Sequence, residues 1–161
     1  MHPRLIRLFN DYADSHRHPM NRLSHKIGIP LIVFHILAML DWIKLAELPI
    51  AGGVILSVGH IGAALAIAWY LAMSPKLGAI LSVFFAVCFP IAWYTPKPVV
   101  IAIAIVAWII QLAGHYVWEK KSPAFLSNIV QTLIGPIFFV ALLLGDWPLN
   151  RRRQGAEAAA S

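Results

Sequence analysis

His16, Asn21 and His25 near the start of the chain, and His115 and Glu119 near its end, are polar residues set at the edges of strongly apolar segments. Imidazole and carboxylate groups are costly in or beside hydrocarbon, so such a cluster is by default a functional site. Asn21 and His25 are four residues apart, as are His115 and Glu119, which puts each pair on one face of its helix. His16 and His25 are nine apart and out of phase on an unbroken helix, but Pro19 interrupts the pattern and lets both imidazoles converge. Neutral imidazole is the commonest metal ligand, and two His with one carboxylate and open positions suit non-haem Fe(II) and oxygen. His16, His25, His115 and Glu119 contain that set. By spacing alone they are equally well read as hydrogen-bonded helix caps, or Glu119 as the partner of Lys120.

The elements that must position these residues are membrane helices. A chain of 161 residues with 60% hydrophobic and 12% charged residues, and a mean hydropathy of +0.73, is not a soluble domain. The expected fold is all-α: one membrane-embedded catalytic domain over 1–150, with four to five transmembrane or re-entrant helices and an interfacial N-terminal helix. Residues 151–161 read as a basic, disordered tail. The runs 49–73, 77–94 and 98–118 meet or nearly meet the ~20 apolar residues that a span requires. The run 27–40 is short and ends at Asp41-Trp42, whereas 125–144 is broken by Gly135-Pro136 and carries Asn128 and Gln131, so one of these two is expected to stop short. Trp42, Trp69, Tyr70, Trp93, Tyr94, Trp118 and Trp147 fall at run ends, at headgroup level.

Lys and Arg set the orientation. Arg4, Arg7, Arg17, Arg22 and Lys26 join Lys76, Lys120 and Lys121 on the inner side, leaving Lys44 and Lys97 outside. The N-terminus and the polar cluster are therefore expected on the cytoplasmic side, in a bacterial inner membrane or an endoplasmic reticulum. No signal-peptide order precedes the first run, so no cleaved segment is expected. The net charge of +6 is scattered over helix ends, which points to membrane lipid headgroups and not to nucleic acid. Cys88 lies in an apolar run and reads as a small buried hydrophobe.

The stretch from Tyr12 to Pro30, with His16-Arg17-His18-Pro19-Met20-Asn21 and His25-Lys26-Ile27-Gly28, resembles the N-terminal signature of a known family. So do Gln111-Leu112-Ala113-Gly114-His115 and Glu119-Lys120-Lys121-Ser122-Pro123-Ala124. The family is that of the fungal endoplasmic-reticulum 2-hydroxy-palmitic acid dioxygenase, and with the order of apolar runs the resemblance covers most of 8–145. It implies a small multi-span enzyme of fatty-acid alpha-oxidation. That enzyme would use Fe(II) and O2 to shorten a long-chain 2-hydroxy fatty acid by one carbon, releasing CO2. Carried over residue by residue, it assigns His16, His25 and His115 to the iron. Glu119 becomes a fourth ligand or a group that orients an imidazole. Asn21 becomes a hydrogen-bonding partner of ligand or substrate, and Lys120 and Lys121 become partners of the substrate carboxylate. His18 takes a place where the pattern does not need His.

His60 falls near the middle of the run 49–73, where an unpaired imidazole is unfavourable, so it is a candidate to complete the metal sphere. Gly28 would let another backbone come close, while Gly52-Gly53 and Gly59-x-x-Gly62 read as helix contacts. Three rival functions remain. A two-metal desaturase or hydroxylase would need repeated His-x-x-x-His clusters, which the seven His do not form. A b-type haem protein would use His60 and His35 as axial ligands. A non-enzymatic protein would bind or transport lipid or protons through the same polar cluster.

Overall fold

The computed structural model describes residues 1–14, 16–48, 54–123 and 130–146. The expected tail over 151–161, and Gly52, Gly53, Asn128 and Trp147, lie outside the described residues. The described chain is an all-α bundle with one small strand pair: α1 Pro3–Asp14, α2 Pro19–Asp41, β1 Lys44–Leu48, β2 Val54–Ser57, α3 Val58–Met73, α4 Pro75–Tyr94, α5 Lys97–Ala113 and α6 Val130–Leu143. A six-residue π-helical turn, Gly114–Glu119, continues α5.

α2 is the spine, against which α3, α4, α5 and α6 are all packed. Pro19 occupies its first turn, where a missing N–H costs nothing, and the His18 side chain caps it by accepting from the Met20 N–H at 3.2 Å. The short apolar run beginning at Ile27 is therefore the interior of a 23-residue helix. At ~1.5 Å per residue that helix is long enough to cross ~30 Å of hydrocarbon. Its first two turns carry the polar cluster. α4 and the α5–π-turn unit, Lys97–Glu119, are the other two helices of spanning length and composition among the described residues.

The run 49–73, expected to be one span, is not. β1 and β2 pair antiparallel, with Ala46 opposite Leu56 and Glu47 opposite Ile55, and α3 begins only at Val58. The cause is local: Ser57 accepts from the His60 N–H as an N-cap, so the helix starts after it. α3 is left with 16 residues, and 14 of the last apolar run form α6.

α1 lies against α6, with Leu5, Phe9 and Tyr12 buried and the Phe9 and Phe138 rings edge to face at 5.1 Å. The His2 N–H donates to the Met73 carbonyl at 2.8 Å, and Lys76 pairs with Asp146 at 2.9 Å. Lys44 over Trp93 and Lys97 over Trp42 sit at the opposite end of α2, in the aromatic and basic pattern of a headgroup layer.

Gly59 fixes the approach of α3 to α2, because a Cβ there would lie 2.9 Å from the Asp41 nitrogen and 3.0 Å from the Leu37 carbonyl oxygen. Gly59→Ala is expected to destabilise the fold by about 1–3 kcal/mol, as overpacking does. Gly62→Ala, whose Cβ meets only Leu40 Cδ1 at 3.8 Å, should be nearly neutral. Thermal unfolding of the two detergent-purified variants beside the parent makes the comparison.

Candidate metal centre

Three histidines from three places in the chain meet at one end of the bundle. His16 lies in the linker between α1 and α2, His25 on the second turn of α2, and His115 in the π turn after α5; all three are buried. His16 Nε2 lies 3.0 Å from His25 Nε2, which lies 3.1 Å from His115 Nε2. The ligand atoms of the three all fall within 4.8 Å of one another.

The partners of the other ring nitrogens decide what this contact is. His16 Nδ1 is 2.6 Å from the Tyr12 carbonyl oxygen, and His25 Nδ1 is 2.8 Å from that of Asn21. A carbonyl oxygen only accepts, so both Nδ1 atoms carry their protons and both Nε2 atoms present bare lone pairs. Two lone pairs 3.0 Å apart repel unless a cation lies between them. Burial pushes the His16 imidazole down to about 4, against a smaller opposing effect of its bond to Tyr12, so a proton does not fill that role near neutrality. As pH falls from the ordinary imidazole value towards 4, the unfolded chain takes up this proton and the folded chain does not, so His16 costs the apo fold stability on acidification. Nitrogen–metal bonds of ~2.0–2.1 Å put two ligands of one ion about 3–4 Å apart, which the observed separations match. The donor set fits a borderline divalent transition metal.

Local sequence builds each arm. The Tyr12 ring stacks on His16 at 4.0 Å between centroids, fixing its plane, while α1 ends at Asp14 and frees His16 from the helix. His115 differs from the other two: its Nδ1 is buried with no partner among the described residues, the usual bond back to the preceding turn being absent in the wider π turn. π turns of this kind recur at functional sites. A Cβ on Gly114 would overlap Ser24 Oγ and Asn21 Oδ1, so glycine there lets the π turn touch α2.

Glu119 stands outside the group of mutually close ligand atoms. Its carboxylate accepts from the backbone N–H groups of Arg17 (3.0 Å) and His18 (2.9 Å), and from Asn21 Nδ2 at 3.3 Å. It thus clamps the linker that carries His16 and the start of α2 to the π turn. Asn21 works alongside it, its amide held by Glu119 and its carbonyl holding His25.

His60 is not brought to this cluster. It lies in the first turn of α3, where Nδ1 is 2.7 Å from Ser57 Oγ and 3.5 Å from Asp41 Oδ1 and the ring stacks on Phe89 at 4.4 Å. The strand pair before α3 is the reason, since it moves residue 60 from mid-helix to the helix start. His35 is bonded to the Leu31 carbonyl and faces Trp108, so the two axial ligands of a haem reading have different neighbours. Lys120 and Lys121 are exposed and do not line the apolar cavity that the imidazoles face. Lys120 terminates the π turn with a left-handed backbone, φ 53°.

An apolar cavity opens from the three imidazoles and runs along α2. Its wall includes Ile32, Ile36, Leu40 and Trp108, together with Gln111 and Gln131. Each glutamine has a buried Oε1 with no partner among the described residues. The sequence named Gln131 as a polar interruption of the last run and Gln111 as part of the second motif, but gave neither a role at the site. Gly28 leaves room for Gln111 and approaches the Ala107 carbonyl of α5.

These positions lie in a recognised sequence pattern. The family model described as 2-hydroxy-palmitic acid dioxygenase Mpo1-like matches residues 4–147. The chain belongs to the Mpo1-like family. It is 28% identical over 153 residues to the 2-hydroxy-palmitic acid dioxygenase MPO1 of Saccharomyces cerevisiae, covering 80% of this chain and 72% of the relative. No solved structure matches it significantly.

For this member of the Mpo1-like family, His25→Ala and His115→Ala are each expected to remove bound metal from the purified protein. His18→Ala, whose ring only caps α2, should keep it. Glu119→Ala removes none of the three nitrogens yet should weaken metal affinity by about 10–100-fold, as loss of a supporting group does. Elemental analysis and chelator competition read these effects, and equal retention in all four variants would exclude the site.

Proposed function

We propose that this protein is an Fe(II)-dependent dioxygenase that uses O2 to shorten a long-chain 2-hydroxy fatty acid by one carbon with release of CO2. The observation that carries this reading is the meeting of three buried imidazoles at one end of an apolar cavity. The name of the yeast relative supplies the substrate class and the reaction type.

His16, His25 and His115 would hold the iron, which when bound supplies Lewis-acid and oxygen chemistry. Three neutral ligands leave the ion's charge uncompensated in a poorly solvated place, and a substrate carboxylate is drawn there strongly. The Nδ1 bonds of His16 and His25 hold ring orientation and tautomer through the reaction. Asn21 and Glu119 act one step further out, as positioning residues for the linker and α2. The apolar wall takes the acyl chain and keeps bulk water from the headgroup end. The overall change, R–CH(OH)–COOH + O2 giving R–COOH + CO2 + H2O, balances without an external reductant. The electrons lost by the two substrate carbons equal those that one O2 accepts.

The N-terminal location of His16 and His25, with the basic residues around them, favours the cytoplasmic side of the membrane for this chemistry. Fe(II)-loaded protein in lipid nanodiscs, given 2-hydroxypalmitate, is expected to yield pentadecanoate and CO2 in equal amounts with matching O2 consumption. Palmitate, which lacks the hydroxyl, should remain unconsumed. Bound iron with no product from any 2-hydroxy acid would overturn the dioxygenase reading in favour of lipid binding or transport.

A further inference from the structure

The cavity has a far end, and that end is built differently from its walls. From His25 to Leu40, α2 climbs about 22 Å at ~1.5 Å per residue, and lining residues occur along that whole length. This exceeds the roughly 15 Å that one leaflet's acyl chains occupy in a ~30 Å hydrocarbon core, so a long chain can lie extended beside α2. α3 faces the same space with Gly62, Ala66 and Tyr70, four residues apart on one side of the helix. Two of the three are as small as residues can be.

Beyond Leu40 and Gly62 the two helices are locked together. Asp41 Oδ1 accepts from Ser57 Oγ at 2.6 Å, Asp41 Oδ2 pairs with Lys44 at 2.8 Å, and Gly59 presses on the backbone of Leu37 and Asp41. A buried, hydrogen-bonded junction of this kind does not open to admit methylene groups, because its polar atoms would lose their partners.

We propose that this end is a length gauge for the acyl chain: Gly62 on α3, opposite Leu40 on α2, and Ala66 one helical turn further along α3 set how many methylenes fit between the imidazoles and the Asp41–Ser57 junction. The inference rests on the reading of the cavity as an acyl site. Side chains of other sizes at these positions move the wall in a stated direction. Leu at position 62 fills the last part of the cavity. Leu at position 66 fills it one helical turn, or about 6 Å, nearer the metal end. Truncation of Leu40 deepens it.

The experiment gives the Fe(II)-loaded protein in nanodiscs an equimolar mixture of saturated acids, from 2-hydroxydecanoic to 2-hydroxyoctadecanoic. It measures both the products and the acids retained by the protein. Gly62→Leu should shorten the preferred chain, Ala66→Leu should shorten it further, and Leu40→Ala should lengthen it. Discrimination against the longest acids should rise by about ten-fold or more in Ala66→Leu, as overpacking an apolar core implies. Metal content equal to the parent's shows that each variant is folded at the site, and the opposite shift in Leu40→Ala guards against a general loss of function. Turnover with one unchanged length profile in all three variants overturns the gauge and leaves the dioxygenase reading standing. Retention that follows the predicted lengths without any turnover supports the gauge and overturns the dioxygenase. A parent that neither converts nor retains any of the 2-hydroxy acids overturns both.

Discussion

Two imidazole lone pairs facing each other at 3.0 Å are the constraint on which this structure turns. Nothing in a protein of neutral side chains holds such a pair together for its own sake. The contact is imposed by carbonyl acceptors at Tyr12 and Asn21 on the rear of each ring and by the close meeting of α2 with the π turn at Gly114. The rest of the bundle makes that imposition rigid: α1 supplies Tyr12, α2 supplies Asn21 and His25, and α5 delivers His115 from the far end of the chain. A cation between the rings would relieve the repulsion that the fold creates, and the three imidazoles are close enough to hold one.

Glu119 gives the same idea a second form. A carboxylate beside a metal cluster invites a role as ligand, yet here its lone pairs are taken by two backbone N–H groups and an amide. It behaves as a cap supplied from another helix, stabilising the positive end of α2 while tying down the linker that holds His16. One residue thus joins the two motif-bearing parts of the chain, about a hundred positions apart.

Much of this was legible in the amino-acid sequence. Composition specified an all-α membrane bundle, and Pro19 marked the break that frees His16 from the line of α2. The four-residue spacing put Asn21 and His25 together on α2, whereas His115 and Glu119 lie in a π turn that the spacing did not announce. Misreading came where the governing interaction was not periodic. The run from residue 49 to 73 is apolar throughout, but the Ser57 hydroxyl starts a new helix inside it, and this shifted the expected depth of His60. The use of Glu119 as a clamp depends on backbone groups, which no side-chain pattern reports. Gln111 and Gln131 were visible in the sequence, but their place in the cavity wall was not, since a single polar residue in an apolar helix has many harmless readings.

The π turn carries an implication for how such a protein can change over time. A π turn is an α-helix that has accommodated an extra residue, so Gly114–Glu119 is held in place by chain length as much as by side-chain identity. Loss of one residue there would relax the turn to ordinary α-helix and rotate His115 and Glu119 relative to each other, with every ligand still encoded. Insertions and deletions between residues 113 and 120 would therefore break the register of the three-histidine cluster even where every side chain is kept.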